Sequence, residues 1–343
     1  MKREDTFDVY RSNDGTVSKY IHEDGSETAI KLVKSIQSVL NPITNTIETR
    51  ESDRNKYSIF ISSSVGCFMK CKFCHLTMKN SKHIKLPEEQ VLRNLKEAIE
   101  DVINFNPEVK NRYVKLSWMG MGDAVNKPEM VYNVTINLLD WLLENEYTTG
   151  LDGVDLSTVM PNMKDKRWIK IFHELEKKLQ DYPINPVYKM DNIEYTNNQY
   201  SHKNIFRLFY SIGSAIQDKK EDVIPNAMSL IDASSILREY QQDNKYSVIL
   251  HHVLVDGLND TDEELDALIE FVNKDFVDNE LRILRYNYCS IKNSYKESEF
   301  ITEQVRKLSD NINFLKVQIS PGTEVSAACG QFIVKDFIRK GLK

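Results

Sequence analysis

From Tyr57 to about residue 320 the chain alternates short, β-branched apolar runs with stretches whose apolar residues recur at helical spacing. Few architectures satisfy that alternation. Strands are predicted near 57–61, 112–119, 153–158, 205–212, 246–255, 281–286 and 314–320. Between them, helices are predicted from Pro87, where Leu92, Leu95, Ile99 and Val102 share a face, and near 129–146, 164–180, 226–241, 261–273 and 301–312. Strand, helix, strand in this order implies parallel pairing with crossover helices. The expected fold class is therefore α/β, a partial (βα)6 TIM-like barrel over residues 57–320, open enough on one side to admit a bulky substrate.

Residues 1–56 are polar and mixed, with Asp14-Gly15 and Asp24-Gly25 as hairpin signals, and read as a short β-rich lead-in. Residues 321–343 form a C-terminal segment. One connection breaks the rhythm: residues 181–204 are long, polar and rich in Tyr and Asn, a length usual for functional or disordered loops.

Just past the first predicted barrel strand, Cys67, Cys71 and Cys74 stand in a C-x3-C-x2-C spacing within SSSVGCFMKCKFCHL. Strand C-terminal ends are where α/β folds keep their chemistry. Three clustered thiolates indicate a metal. A tetrahedral zinc would want a fourth ligand, and His75 is too close to Cys74 to chelate comfortably beside it. A [4Fe–4S] cube with one iron left open is the simpler reading.

The 343 residues carry 41% hydrophobic and 28% charged side chains, enough for a barrel-sized core. No apolar run reaches membrane-spanning length, and MKREDTFDVY lacks the apolar segment of a signal peptide. With five cysteines, three of them clustered, a reducing cytoplasm is expected rather than a disulfide framework. The net charge of −6 does not advertise a nucleic-acid binder, but it is unevenly spread. Residues 68–85 hold five lysines and no acid, whereas 256–280 hold ten acids and one lysine. Either run reads equally as a solvated face.

Other strand ends supply further candidates. Strand 112–119 leads into Gly120-Met121-Gly122-Asp123, where glycines admit a ligand to the backbone and a carboxylate can accept from an ammonium. Gly-x-Gly-Asp is also a common turn. Ser157 and Ser211 end strands and read equally as helix caps; Asn287 reads equally as a turn residue. Near the C-terminus, Cys329 stands among small residues in Ser326-Ala-Ala-Cys-Gly-Gln, a setting that suits either inert packing or a presented thiol.

Taken together and in order, from about residue 47 to 333, these motifs resemble the radical S-adenosylmethionine (SAM) methyltransferases that modify an adenine carbon in ribosomal and transfer RNA, together with their antibiotic-resistance relatives. The family's V-S-S-Q-V-G-C is similar to Ile61-Ser62-Ser63-Ser64-Val65-Gly66-Cys67. Its G-M-G-E resembles Gly120–Asp123, its S-T-V-G resembles Ser157–Met160, and its S-L-H with a later proline resembles Ser211-Ile212-Gly213 and Pro225. L-D-G-x-N-D-S-D-E is nearly intact as Val255–Glu263. A-A-C-G-Q stands unchanged at Ala327–Gln331 and is the most specific of these.

The resemblance implies a radical-SAM barrel with a [4Fe–4S] cluster on Cys67, Cys71 and Cys74. It implies SAM held by Gly122, Asp123, Ser157, Ser211 and Asn287. It also implies two uses of SAM: one molecule methylates Cys329, and a second, cleaved reductively, yields a radical that activates that methyl group for addition to adenine. Glu48 resembles the family's general base after a one-residue gap, Glu27 less closely; a surface carboxylate is the plain alternative for both. The implied partners are an rRNA or tRNA substrate and an electron donor such as flavodoxin or ferredoxin, in the cytoplasm, with no membrane. Phe60 stands where the family keeps a second cysteine, Asp123 replaces glutamate, Gly213 replaces histidine and Met160 replaces glycine. Most of the family's N-terminal RNA-binding domain has no counterpart in the lead-in. A radical-SAM enzyme of the same fold acting on a peptide or small molecule is therefore the alternative.

Overall fold

The computed structural model of the protein describes residues 6–32, 36–41, 46–51, 55–185, 204–241, 248–287 and 295–318, together with Val325 and Ala327. The lead-in gives three antiparallel strands, β1 (Phe7–Arg11), β2 (Val17–His22) and β3 (Glu27–Leu32), followed by the separate hairpin β4 (Ile36–Asn41) and β5 (Thr46–Glu51). Its two Asp-Gly signals are turns: Gly15 and Gly25 donate to the Ser12 and His22 carbonyls, both at 2.9 Å.

The barrel runs from β6 (Lys56–Phe60) through the short β7 (Ser64–Val65), α1 (His75–Met78) and β8 (Ile84–Lys85) to α2 (Glu88–Phe105). After it come β9 (Tyr113–Trp118), α3 (Pro128–Glu144), β10 (Gly150–Thr158), α4 (Arg167–Leu179), β11 (Phe206–Ser211), α5 (Gln217–Val223) and α6 (Leu230–Tyr240). The run ends with β12 (Val248–Val253), α7 (Asp262–Asp275), β13 (Leu281–Leu284), α8 (Ile301–Asn311) and β14 (Leu315–Gln318). β6, β9, β10, β11, β12, β13 and β14 pair in that order and all in parallel. That is six strand–helix units and a terminal strand, the partial barrel expected. β3 pairs antiparallel with β6, so β1–β3 extend the barrel sheet to ten strands.

Strand alternation explains the two faces. Tyr57 and Ile59, Val114 and Leu116, Val154 and Leu156, and Phe206 and Leu208 are buried in one apolar core with Leu95, Ile99, Val134, Leu138, Phe172 and Leu175 of the covering helices. Each such side chain contributes about 1.5–3 kcal/mol on burial. The intervening residues Lys115, Asp155 and Arg207 point the other way, into the barrel. There Asp155 takes an ion pair from Lys115 and, from Arg207, a hydrogen bond from Nε at 2.8 Å and an ion-pair contact from Nη2 at 2.6 Å. Burial alone would raise the Asp155 carboxyl, but Arg207 and Lys115 hold it well below the usual range.

Sequence spacing located the helices to within a few residues but passed over α5, whose QDKKEDV run lacks an apolar stripe. Of the long connection, residues 181–185 are described: Ile184 bridges to Leu151, and the Asn185 amide donates to Asp152 at 2.9 Å. Among the described residues no helix is long and apolar enough to cross a membrane.

Candidate cluster and cofactor site

Three consecutive serines after β6 build the floor of the site. The Ser62 hydroxyl donates to the Glu27 carbonyl at 2.6 Å and accepts from the Met121 amide at 3.0 Å. Beside it, the Ser63 amide donates to the Met121 carbonyl at 2.9 Å. The Gly120–Asp123 loop is thereby laid directly on the entry to the cysteine loop. Only glycine fits at 122: φ is +90°, and a Cβ would lie 2.3 Å from the Ser64 hydroxyl and 2.5 Å from that of Ser63.

Cys67, Cys71 and Cys74 are half-buried on the loop that this floor supports. Cys67 and Cys74 lie against Leu76 and Met121, and Cys67 and Cys71 against Met69, Val223 and Ile224. Burial pushes the Cys67 thiol up to about 12 and that of Cys71 well above its ordinary value, and each is raised further by the neighbouring cysteines and Asp123. Thiols so placed give up their protons when a metal binds. Among the described residues no three His, Cys, Asp or Glu side chains come close enough to share one ion. His75 is buried at the start of α1 with neither ring nitrogen bonded among the described residues, and burial brings it down to about 4.

Asp123 is buried at the mouth of β10. Its carboxylate accepts from the Thr158 hydroxyl at 3.0 Å, the Val159 amide at 2.9 Å and the Val125 amide at 3.2 Å. A carboxylate offers about four acceptor sites, so one remains for a ligand. Burial raises its carboxyl to about 6 against those three hydrogen bonds. The donors around it are neutral, and a cationic group would complete the site.

Ser157 and Ser211 come together from adjacent strands, with their hydroxyls 3.4 Å apart. Neither caps a helix; the N-caps of α4 and α5 are Lys166 and Ile216. Asn287 follows the end of β13, and the preceding Tyr286 hydroxyl donates to the Phe73 carbonyl of the cysteine loop at 3.4 Å. That contact joins a late strand end to the first one. Glu48 lies on β5 opposite Val39 in register. Glu27, by contrast, is a fully buried carboxylate paired with Lys19 at 2.7 Å. Cys329 and Cys289 lie outside the described residues.

The departures from the family pattern acquire physical reasons. Met160 holds φ of +57°, the conformation a glycine would take without strain, while its side chain is buried in the main core. Gly213 has φ of +79°, and a Cβ there would meet the Ile224 side chain at 2.4 Å. Phe60 packs against the apolar group of Met121, Val325 and Ala327, the group that Cys67 and Cys74 also pack against, with the Lys31 ammonium 4.5 Å from its ring. Two supports escaped sequence reasoning. Asn259 is wholly buried and donates to the Gly213 and Val253 carbonyls at 2.6 and 2.8 Å, so part of the Val255–Glu263 motif is a brace for the Ser211 turn. The Asn226 amide likewise clamps the Phe68 carbonyl. An Asn beside a Gly-containing turn was the available signal for the first; the second had none.

No family model matches the chain. Among curated proteins it is similar to the probable dual-specificity RNA methyltransferase RlmN of Flavobacterium psychrophilum, 26% identical over 335 residues that cover 96% of this chain and 79% of the relative. The probable enzyme of the same name from Flavobacterium johnsoniae is 27% identical over 96% of this chain and 78% of its own length. The dual-specificity RNA methyltransferase RlmN of Campylobacter hominis is 24% identical, covering 96% and 80%. Among solved structures, a radical SAM methyltransferase from Sphaerobacter thermophilus shares the fold with a TM-score of 0.60 at 18% identity, over 95% of this chain and 81% of that one.

Proposed function

We propose, from the kinship with RlmN-named RNA methyltransferases, that this chain is a radical-SAM methyltransferase moving a SAM-derived one-carbon unit, carried on Cys329, to an adenine carbon of ribosomal or transfer RNA. The observation that carries the reading lies at the chain's far end. Val325 and Ala327 are buried in the same apolar group as Met121, against Cys67 and Cys74, almost the whole sequence away. Two residues further on comes Cys329, within about 7 Å of backbone reach from Ala327.

In this reading Cys67, Cys71 and Cys74 hold a [4Fe–4S] cluster whose fourth iron is left for SAM. When bound, cluster and SAM together supply the one-electron chemistry needed to activate an unreactive methyl group. The chain's own part is to bind and orient. Asp123 accepts the SAM ammonium at its remaining acceptor site, beside Gly122. The Ser157 and Ser211 hydroxyls, with Asn287, line the strand ends where the rest of SAM lies. Glu48 accepts the proton lost from the adenine carbon. Phe60, in place of a second cysteine, supplies an apolar wall. The functional division is a lead-in over 1–56, the barrel over 57–320 and a carrier segment over 321–343. A flavodoxin or ferredoxin in the cytoplasm delivers the electrons.

Anaerobic reconstitution followed by incubation with SAM tests this directly. A methyl or methylene on Cys329 in peptide mass maps, and loss of RNA methylation in Cys329→Ala, are expected; full activity of that variant would refute the carrier role. The acid-rich stretch 256–280 favours a second reading, a radical-SAM enzyme of the same fold acting on a peptide or small molecule. Reductive SAM cleavage with an unmodified Cys329 and no response to RNA would select it.

A further inference from the structure

Lys220, on α5, is 1% exposed, yet its ammonium meets no carboxylate among the described residues. It donates to the Tyr210 hydroxyl at 2.5 Å and the Ile212 carbonyl at 3.4 Å, both neutral. Four other buried cations are treated differently. Lys19 faces Glu27, Lys56 faces Asp152, and Lys115 and Arg207 share Asp155. Burying an ion without a counter-charge costs several kcal/mol, so a fold that pairs four cations and leaves this one has a use for it.

The helix that carries Lys220 ends against the cysteine loop. α5 and its continuation dock onto that loop: the Lys72 amide donates to the Val223 carbonyl at 2.9 Å, and Val223 and Ile224 pack against Cys67 and Cys71. Burial lowers the Lys220 ammonium to about 7, and a negative charge on Cys71 would raise it again. Tyr210, near the end of β11, fixes the ammonium from the helix-facing side of the sheet.

We propose that Lys220 is the fixed counter-charge of the iron–sulfur cluster, offsetting the negative charge that three thiolates give it and making it easier to reduce. The inference rests on the reading that Cys67, Cys71 and Cys74 hold such a cluster. Reduction takes one electron from a low-potential donor into the cluster, with no bond made or broken, and leaves the cluster one unit more negative. A nearby ammonium stabilises the reduced form more than the oxidised one. Lys220 is thus a positioning residue for electron transfer.

The test is an anaerobic redox titration of the reconstituted protein with dithionite and mediator dyes, followed by electron paramagnetic resonance. Lys220→Met should lower the reduction equilibrium constant at least tenfold, a midpoint shift of about 59 mV for a one-electron couple, at unchanged iron content. Lys220→Arg should restore most of it. Apo-Lys220→Met should also melt above the wild-type apoprotein, because the uncompensated ion is gone. An unchanged midpoint with normal iron content overturns the proposal. Should Lys220→Met fail to fold, Lys220→Gln decides by the same criterion. A wild-type protein that takes up no iron overturns the cluster reading itself, and Lys220's role with it.

Discussion

Two buried polar groups in one barrel are built on opposite rules. Deep between β9, β10 and β11, Lys115 and Arg207 share the carboxylate of Asp155, which they hold below the usual carboxylate range. At the strand ends beside the cysteines, Asp123 has neutral donors and Lys220 has neutral acceptors, and burial shifts both toward their uncharged forms. The first arrangement is complete without a ligand. The second is an anion and a cation each without a counter-charge among the described residues, where a cationic amino acid group and a negative cluster would fit. Where a barrel leaves charge unpaired thus separates its site from its scaffold, more reliably than the presence of charge.

The largest effect that could break this contrast is expected from Asp155→Asn. Removing one member of a buried ionic group strands Lys115 and Arg207, and unfolding in urea should show a loss of about 3–5 kcal/mol. Asp123→Asn should behave in the opposite manner. The apoprotein at pH 7 should lose less than about 1 kcal/mol, because the carboxylate is charged there at a cost. The SAM affinity of the reconstituted protein should meanwhile fall about tenfold, as expected for losing a charge-assisted hydrogen bond. Equal loss of stability in both variants would erase the distinction.

The pH dependence of apoprotein stability sharpens it further. The folded-state carboxyl of Asp123 is raised from 3.8 to about 6, so the native state binds the extra proton. Its contribution is full below 3.8 and is lost as pH rises through about 6. For Asp155, whose folded value is depressed, the contribution is present above 3.8 and is lost as pH falls. Urea midpoints from pH 3 to 8 should therefore lose their neutral-side decline in Asp123→Asn and their acid-side rise in Asp155→Asn. The smallest effect is expected from Ser157→Ala. One hydroxyl of the 3.4 Å pair disappears, and SAM binding measured by equilibrium dialysis should weaken about two- to fivefold, with stability unchanged.

The cysteine spacing, the strand–helix alternation and the glycines at 120 and 122 were readable because each is a local demand. Ligand spacing, apolar periodicity and φ of +90° are all written into neighbouring residues. Ser157 and Ser211 were legible as strand ends but not as a pair, since their contact spans 54 residues of chain. The role of Asn259 was hidden inside a motif: residues that resemble a family signature can be conserving a turn rather than touching a ligand. α5 was missed for a related reason. Its seven residues carry too few apolar positions to show a period, and it is held by packing on the cysteine loop.

The sequence by itself determined a parallel α/β barrel, a three-cysteine loop at its first strand end, and a second chemically distinctive cysteine near its end. Those follow from patterns a few residues long. Only the tertiary structure decided that Val325 and Ala327 return to the cysteine loop, that Asp123 is ringed by neutral donors, and that Lys220 is buried without a carboxylate among the described residues. Pairing or its absence is a property of groups distant in sequence, set by which strands the fold makes neighbours, and no local pattern encodes it.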